Sequence, residues 1–139
     1  MKNEFAPYEQ AIALKELGLD ETYLGECFGE YRQWDGGKPY LLLYQDLDGC
    51  STDPADYEYT TECIAPTFSQ AFRWFRKKYN LDSFVKHLYK STIKVGYYFG
   101  IDQYKGVEFQ MDFDAWYDTY EEAELACLKK LIQISTPTA

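Results

Sequence analysis

Apolar side chains recur along this chain with two different periods, and the helical period is clearest in the middle of the chain. Thr67 and Gln70 have the spacing of a capping box, in which each side chain satisfies a backbone amide of the other residue, so a helix is predicted to begin there. Asn80 is a residue type that commonly ends a helix. Between them, the apolar positions that fall within one arc of about 100° are Phe68, Ala71, Phe72, Phe75 and Tyr79.

Two further helices are predicted near the two ends of the chain. Residues 7–17 place apolar side chains at helical spacing between Pro7 and Gly18, residue types that favour a helix start and a helix stop. Thr119 and Glu122 form a second capping box, which precedes an apolar stripe. That stripe consists of Ala123, Cys127, Leu131 and Ile134.

A period of two, which is typical of strands, is found on both sides of the central helix. Residues 27–34 and 38–45 flank Asp35-Gly36-Gly37, a turn sequence, and the three segments together predict a hairpin. After Ser83, apolar and polar positions alternate over a long stretch. Three consecutive strands are predicted there, at residues 84–89, 92–101 and 107–114.

The predicted order of elements is α-β-β-α-β-β-β-α, with a long loop at residues 46–65, where no period is sustained. This order predicts an α+β fold, in which an antiparallel sheet of about five strands carries three helices on its apolar face. The length of 139 residues suits a single domain that covers residues 1–139.

Charge is distributed unevenly along the chain. The formal net charge is -9, yet residues 67–94 carry half of the lysines and arginines and only one carboxylate, that of Asp82. This segment therefore has a net charge of +6, which leaves -15 for the remainder. Such segregation creates a local field that attracts an acidic partner to one face of an otherwise repulsive molecule.

The central helix is predicted to present a surface that is both basic and aromatic. It directs Arg73 and Lys77 away from the apolar arc, and Trp74 lies off that arc as well. An exposed indole beside cations is typical of binding hot spots and of base stacking on single strands. We therefore expect a non-enzymatic binding module that engages an acidic protein partner. The predicted partner-binding residues are Arg73, Trp74, Arg76, Lys77 and Lys78.

Three alternatives stay open at this point. The same surface could bind single-stranded nucleic acid, although the net negative charge disfavours this. Trp74 could instead pack under a neighbouring loop, with the cations neutralising the acidic remainder of the molecule. A metal-dependent enzyme that uses the acidic residues 46–56 is the least favoured alternative. Its metal loop would not be an EF-hand, because Ser51 stands where that loop requires glycine.

No catalytic residue, metal or cofactor is expected from the remaining reactive side chains. The cysteines have neither a Cys-x-x-Cys pair for zinc nor the spacing of a disulfide scaffold, so we expect reduced thiols. His87 is the only histidine, and a nucleophilic cysteine or serine would depend on it as a base. The chain lacks an apolar signal segment and a membrane-spanning run, which predicts a cytoplasmic protein without membrane contact. The cysteines are Cys27, Cys50, Cys63 and Cys127.

Three segments, residues 7–18, 65–76 and 120–124, resemble a group of short uncharacterised proteins found in gut Bacteroidetes and in their phages or prophages. The middle segment, which runs from Ala65-Pro66-Thr67 to Arg73-Trp74-Phe75-Arg76, is the most specific of the three. The resemblance implies a small intracellular accessory protein that is encoded by a mobile element. It implies no activity and no catalytic residue.

Overall fold

The computed structural model of the chain has an α+β fold with antiparallel strands. The chain divides into two compact units, Met1–Gln70 and Ala71–Ala139. The prediction of a single domain stays a prediction. The described ranges contain three helices, as expected, and six strands. Those ranges are residues 4–19, 29–34, 38–43, 59–103, 109–111 and 116–137.

The first unit contains one helix and a three-stranded sheet, in which the central strand β1 pairs with β2 on one side and β3 on the other. The predicted hairpin is confirmed, since Glu30 of β1 lies opposite Leu42 of β2. Its turn, residues 35–37, lies outside the described residues. The elements of this unit are α1 (Tyr8–Leu17), β1 (Gly29–Trp34), β2 (Tyr40–Leu43) and β3 (Tyr59–Ala65).

Strand β3 was not predicted, because residues 46–65 were expected to form a loop. The segment Tyr59–Ala65 instead pairs antiparallel with β1. The pairing register shifts by one residue, since Tyr31 lies opposite Cys63 but Arg32 lies opposite Thr61. A bulge of this kind interrupts the alternation of apolar and polar positions. The tyrosine, threonines and isoleucine of the segment, which favour strands, were the available signal.

Helix α1 packs against this sheet through a small aromatic core. The Tyr31 hydroxyl donates a hydrogen bond of 2.7 Å to the backbone oxygen of Ala6, and its ring lies edge-on to that of Tyr8 at 5.3 Å. Burial raises the pKa of Tyr31, and the nearby Cys63 raises it further. A buried phenol with a satisfied hydroxyl fixes the helix relative to the sheet. The fully or largely buried members of this core are Ala11, Tyr31, Cys63 and Ala65.

Helix α2 (Phe68–Tyr79) begins at the predicted capping box. The backbone amide of Thr67 donates to the Gln70 side chain at 2.8 Å, and the Gln70 amide donates to the Thr67 hydroxyl at 3.2 Å. Asn80 follows the helix with a φ of 57°, in the left-handed region that asparagine tolerates better than most residues. Both predicted ends of this helix are therefore confirmed.

The second unit contains a second antiparallel sheet, in the order β4-β5-β6, rather than a continuation of the first. The expected single sheet of about five strands is thus wrong. The strands β1, β2 and β3 pair among themselves, and the strands β4, β5 and β6 form a separate ladder. The elements are β4 (Leu81–Lys90), β5 (Ile93–Gln103), β6 (Phe109–Met111) and α3 (Tyr120–Ser135).

Helix α3 covers one face of the β4–β5 hairpin. The Thr119 hydroxyl accepts a hydrogen bond of 3.1 Å from the Glu122 amide, so the threonine of the predicted capping box caps the start of this helix. The predicted apolar face of β5 is interrupted, because the register shifts between Leu88 and Tyr89. Ile101 is buried, whereas Ile93, which strict alternation along residues 92–101 would place on the same face, is 68% exposed. The buried stripe of the helix comprises Ala123, Cys127, Leu128 and Leu131.

The backbone of β5 is approached closely at Gly96. A Cβ atom at this position would lie 2.6 Å from the Tyr117 backbone oxygen and 2.7 Å from Cε3 of Trp116. Tyr97 and Tyr117 exchange two backbone hydrogen bonds, each of 2.8 Å, so the Tyr117 carbonyl cannot retreat without losing them. At Gly100, an added Cβ would meet only the tip of the Phe84 ring.

This difference predicts unequal costs for two otherwise identical substitutions. We expect Gly96→Ala to lower the free energy of unfolding by about 1–3 kcal/mol through overpacking against backbone, and Gly100→Ala to lower it less, because a ring can rotate away. Urea unfolding of both variants checks this. Replacing glycine by alanine also stabilises the fold by restricting the unfolded chain. This effect is the same for both variants, so it cancels when their free energies of unfolding are compared. An equal or larger loss for Gly100→Ala would contradict the prediction.

Candidate binding surfaces

Helix α2 presents four exposed cationic side chains to solvent, as predicted. One of them, Arg76, lies 3.9 Å from an Asp82 carboxylate oxygen, and both side chains are about half exposed, at 46% and 60%. An ion pair this long and this exposed contributes little to stability. The cations together form what we call the α2 cationic surface, defined by Arg73, Arg76, Lys77 and Lys78.

The prediction that Trp74 is exposed is wrong. Its side chain is only 4% exposed, and its ring lies edge-on to Phe75 at 5.0 Å and to Tyr79 at 5.5 Å. The buried arc of α2 is about 160° wide rather than about 100°, since it includes the position of Trp74. Ala71 lies between Trp74 and the phenylalanines on this arc and is fully buried, and a residue that small leaves room for an indole beside it.

The Lys78 side chain contacts this aromatic cluster and is also exposed to solvent. Its ammonium nitrogen lies 5.0 Å from the Trp74 ring centroid and 5.7 Å from that of Tyr79. A lysine can cover rings with its stem while its charge stays hydrated, and the cation attracts the electron-rich ring face. The structure thus places Arg73, Arg76 and Lys77 on the outer side of α2, places Lys78 on the same side of the helix as Trp74, with its ammonium over the rings, and removes the indole from the surface.

A second surface, which the sequence analysis did not predict, lies at the end of the β4–β5 hairpin. There a groove with a cavity of about 450 Å³ is bounded by apolar and aromatic side chains. Tyr89 is 57% exposed and Trp116 is 50% exposed. We call this feature the hairpin groove and define it by its lining residues Leu88, Tyr89, Lys90, Val95 and Trp116.

The groove owes its shape to two local features of β5. The register shift leaves Val95 as an extra residue, because Leu88 pairs with Gly96 while Tyr89 pairs with Lys94. A bulge of this kind bends a strand and re-aims its side chains. Gly96, which has no side chain, lets the Trp116 ring lie directly on the strand. The indole wall of the groove is therefore held in place by backbone geometry.

The charges of the hairpin are segregated along its length. Lys86, Lys90 and Lys94 lie toward the turn, whereas Asp82 and Asp102 face each other at the opposite end. Lys94 donates a hydrogen bond of 2.7 Å to the Tyr97 hydroxyl. The turn end of the hairpin is consequently cationic next to exposed aromatic rings. The signal that could have revealed it was that Lys86, Lys90 and Lys94 supply three of the seven cations in the positive segment, and α2 supplies the other four.

Metal and thiol chemistry has little support among the described residues. Within those ranges no group of three or more His, Cys, Asp or Glu side chains could hold a metal ion. The acidic residues 46–56, together with Cys27 and Cys50, lie outside the described residues. Burial raises the pKa of the Cys127 thiol from its ordinary value of 9.0 to about 12, which keeps it protonated and unreactive at neutral pH.

Comparison with known proteins adds no functional assignment. No protein-family model, curated protein or solved structure matches this chain. The resemblance to short proteins of gut Bacteroidetes and their phages stays a prediction. Across the part of the chain that the structure describes, no helix is long and apolar enough to cross a membrane.

The burial of Trp74 predicts that its removal affects folding rather than only binding. We expect Trp74→Ala to lower the free energy of unfolding by about 3–5 kcal/mol, which is the usual cost of emptying an aromatic core position. Arg73→Ala, one position away on the exposed side, should change it by no more than about 0.5 kcal/mol. Chemical denaturation of both variants checks this. Equal stability of the two variants would contradict the assignment of Trp74 to the core.

The raised pKa of Cys127 predicts that the free energy of unfolding decreases as the pH rises through the alkaline range. The thiol ionises near 9.0 when exposed by unfolding but near 12 when folded, so its contribution is complete below pH 9.0 and is lost as the pH rises toward 12. We expect the unfolding free energy of the natural protein to fall more steeply above pH 9.0 than that of Cys127→Ala. Denaturant titrations at several pH values measure both slopes. Parallel slopes would show that this thiol ionises equally well in the folded state.

Proposed function

We propose that this chain is a non-enzymatic binding module that engages an acidic protein partner through the α2 cationic surface. The observation that carries the proposal is the position of these cations on a helix whose opposite side is anchored in the core. Arg73, Arg76 and Lys77 are exposed, while Trp74 and Phe75 of the same helix are buried. The helix lies in the one strongly positive segment of an acidic chain.

Anchoring matters because it reduces the cost of binding. A helix whose Trp74 and Phe75 side chains are buried presents its cations in fixed relative positions before a partner arrives. Less conformational freedom is then lost on association. The field of the cationic surface also steers an acidic partner toward this face, while the acidic remainder repels it elsewhere. Asp82, at 3.9 Å from Arg76, is held loosely enough for a partner carboxylate to replace it.

The residues assigned to the site change in one respect. Trp74 supports the surface from below and does not contact the partner, whereas Arg73, Arg76, Lys77 and Lys78 keep the proposed contact role. The resemblance of residues 65–76 alone implies a small intracellular accessory protein of phage or prophage origin as the biological setting. This setting is part of the proposal.

The alternative functions fare differently. Single-stranded nucleic-acid binding by α2 needs an exposed ring on which bases can stack, and the burial of Trp74 removes that ring. The remaining phosphate contacts would act against a net charge of -9. A metal-dependent enzyme stays a prediction, because residues 46–56 lie outside the described residues.

Charge reversal on α2 tests the proposal. We expect the double substitution Arg73→Glu with Lys77→Glu to weaken binding of the acidic partner by about tenfold or more, because exposed attraction becomes repulsion. Affinity purification from the native host identifies the partner, and titration of the purified pair measures the affinity at two salt concentrations. The folded state should be retained, since both side chains are exposed.

Lys129→Glu with Lys130→Glu is the matched control, because it also replaces two cations by two glutamates, here on α3. It should leave the affinity nearly unchanged. An equal loss for this control would show that only net charge matters, and an unchanged affinity for the double substitution on α2 would remove α2 from the interface.

A further inference from the structure

We propose that the hairpin groove is a second binding site, which takes an apolar side chain from a partner segment whose flanking carboxylates face Lys86 and Lys90. The ligand is thus an acidic peptide segment with an aromatic or aliphatic anchor. The site uses none of the residues of the α2 cationic surface. It therefore goes beyond the function proposed above and can be tested independently of it.

The walls of the groove are apolar and aromatic. Its cavity of about 450 Å³ falls within the range of roughly 300–1,000 Å³ that is usual for ligand sites. Tyr89 and Trp116 leave half or more of their surface exposed beside it. Tyrosine and tryptophan are the residue types most enriched where binding energy is concentrated. An exposed apolar cluster of this kind marks an interaction surface more often than isolated exposed residues do.

The groove is also formed before any ligand binds. The Trp116 ring lies on Gly96, and the neighbouring Tyr117 is fixed to Tyr97 by two backbone hydrogen bonds of 2.8 Å. On the opposite wall, Leu88 and Tyr89 belong to a strand that is paired with β5 along its length. A ligand would therefore not have to order the walls, which lowers the cost of binding.

The charges beside the groove favour an acidic ligand. Residues 83–101 carry three lysines and no carboxylate. The pairing register places Lys86 and Lys90 on the face of β4 that also carries Leu88, whereas Lys94, opposite Tyr89, lies on the other face. Among the described residues, Asp82 and Asp102 lie at the far end of the ladder, and Asp118 is an exposed carboxylate two residues beyond Trp116. The two lysines beside Leu88 are thus complementary to a ligand that carries carboxylates next to its apolar anchor.

A peptide fits these observations better than a nucleic acid does. A nucleic acid carries one negative charge on every phosphate and would meet the repulsion of a chain with a net charge of -9. A short acidic peptide places few charges near the lysines and gains from burying its apolar side chain against Leu88, Val95 and Trp116. Apolar burial and local charge attraction then act together.

The test uses a synthetic peptide with one phenylalanine that is flanked on both sides by glutamates. It is titrated into the full-length isotope-labelled protein, and amide and indole signals are followed by nuclear magnetic resonance. We expect the indole signal of Trp116 and the amides of Tyr89 and Val95 to shift. Replacing the phenylalanine of the peptide by alanine, or its glutamates by glutamines, should each weaken binding by about tenfold or more.

Protein variants separate this site from the α2 cationic surface. Tyr89→Ala and Lys90→Glu alter exposed side chains of the groove, so both variants should fold and bind the peptide about tenfold or more weakly. Lys129→Glu should bind it as the natural protein does. The double substitution on α2, Arg73→Glu with Lys77→Glu, should also retain peptide binding, so failure of the proposed function leaves this result intact.

Four results would overturn the proposal. The first is that the peptide does not bind, or that it shifts only signals of residues outside the groove. The second is that the alanine peptide binds as tightly as the phenylalanine peptide, which would show that binding depends on charge alone. The third is that an oligothymidine displaces the peptide and binds more tightly, which would identify the groove as a nucleic-acid site. The fourth is that the groove signals shift with protein concentration in the absence of peptide, which would show that the groove binds a second copy of the chain.

Discussion

The close approach of Tyr117 to β5 is the constraint on which much of the second unit depends. Two backbone hydrogen bonds join Tyr97 to Tyr117, and they form only because Gly96 leaves space for the Tyr117 carbonyl and for the Trp116 ring. Tyr117 stands three residues before α3, so this contact also sets where that helix starts over the sheet. The Tyr120 ring, at the first position of α3, lies edge-on to Tyr97 at 5.9 Å. One pair of hydrogen bonds thus connects sheet, helix and groove.

Aromatic packing also explains how an acidic protein presents cationic surfaces. On α2, rings fill the buried arc and leave arginine and lysine on the outer side. On the hairpin, lysines lie beside rings: the Lys86 ammonium is 4.7 Å from the Phe84 ring centroid, and that of Lys94 is 4.4 Å from the Tyr97 centroid. Each ring offers a lysine stem an apolar surface and its charge an electron-rich face. Positive charge is thereby held in defined places while the chain as a whole stays acidic.

The success of sequence-based prediction depended on how local the deciding interaction was. Capping boxes at Thr67 and Thr119 predicted two helix starts correctly, because the hydrogen bonds that they form involve residues only three positions apart. The β1–β2 hairpin was predicted for the same reason. Strand β3 was missed because a bulge interrupts its alternation, and the position of a bulge depends on the strand opposite. Whether two strands belong to the same sheet likewise depends on residues that are far apart in the chain.

The candidate sites show the same division. The sequence by itself determined the helix ends, the α+β composition and the concentration of positive charge in residues 67–94, since these follow from residue types and short spacings. Only the tertiary structure decided that Trp74 is buried and that Trp116 and Tyr89 line a groove. The angular position of a residue on a helix says where its Cβ atom points. Whether an indole there meets water or other rings depends on the width of the packed arc, and that width is set by residues far away in the chain.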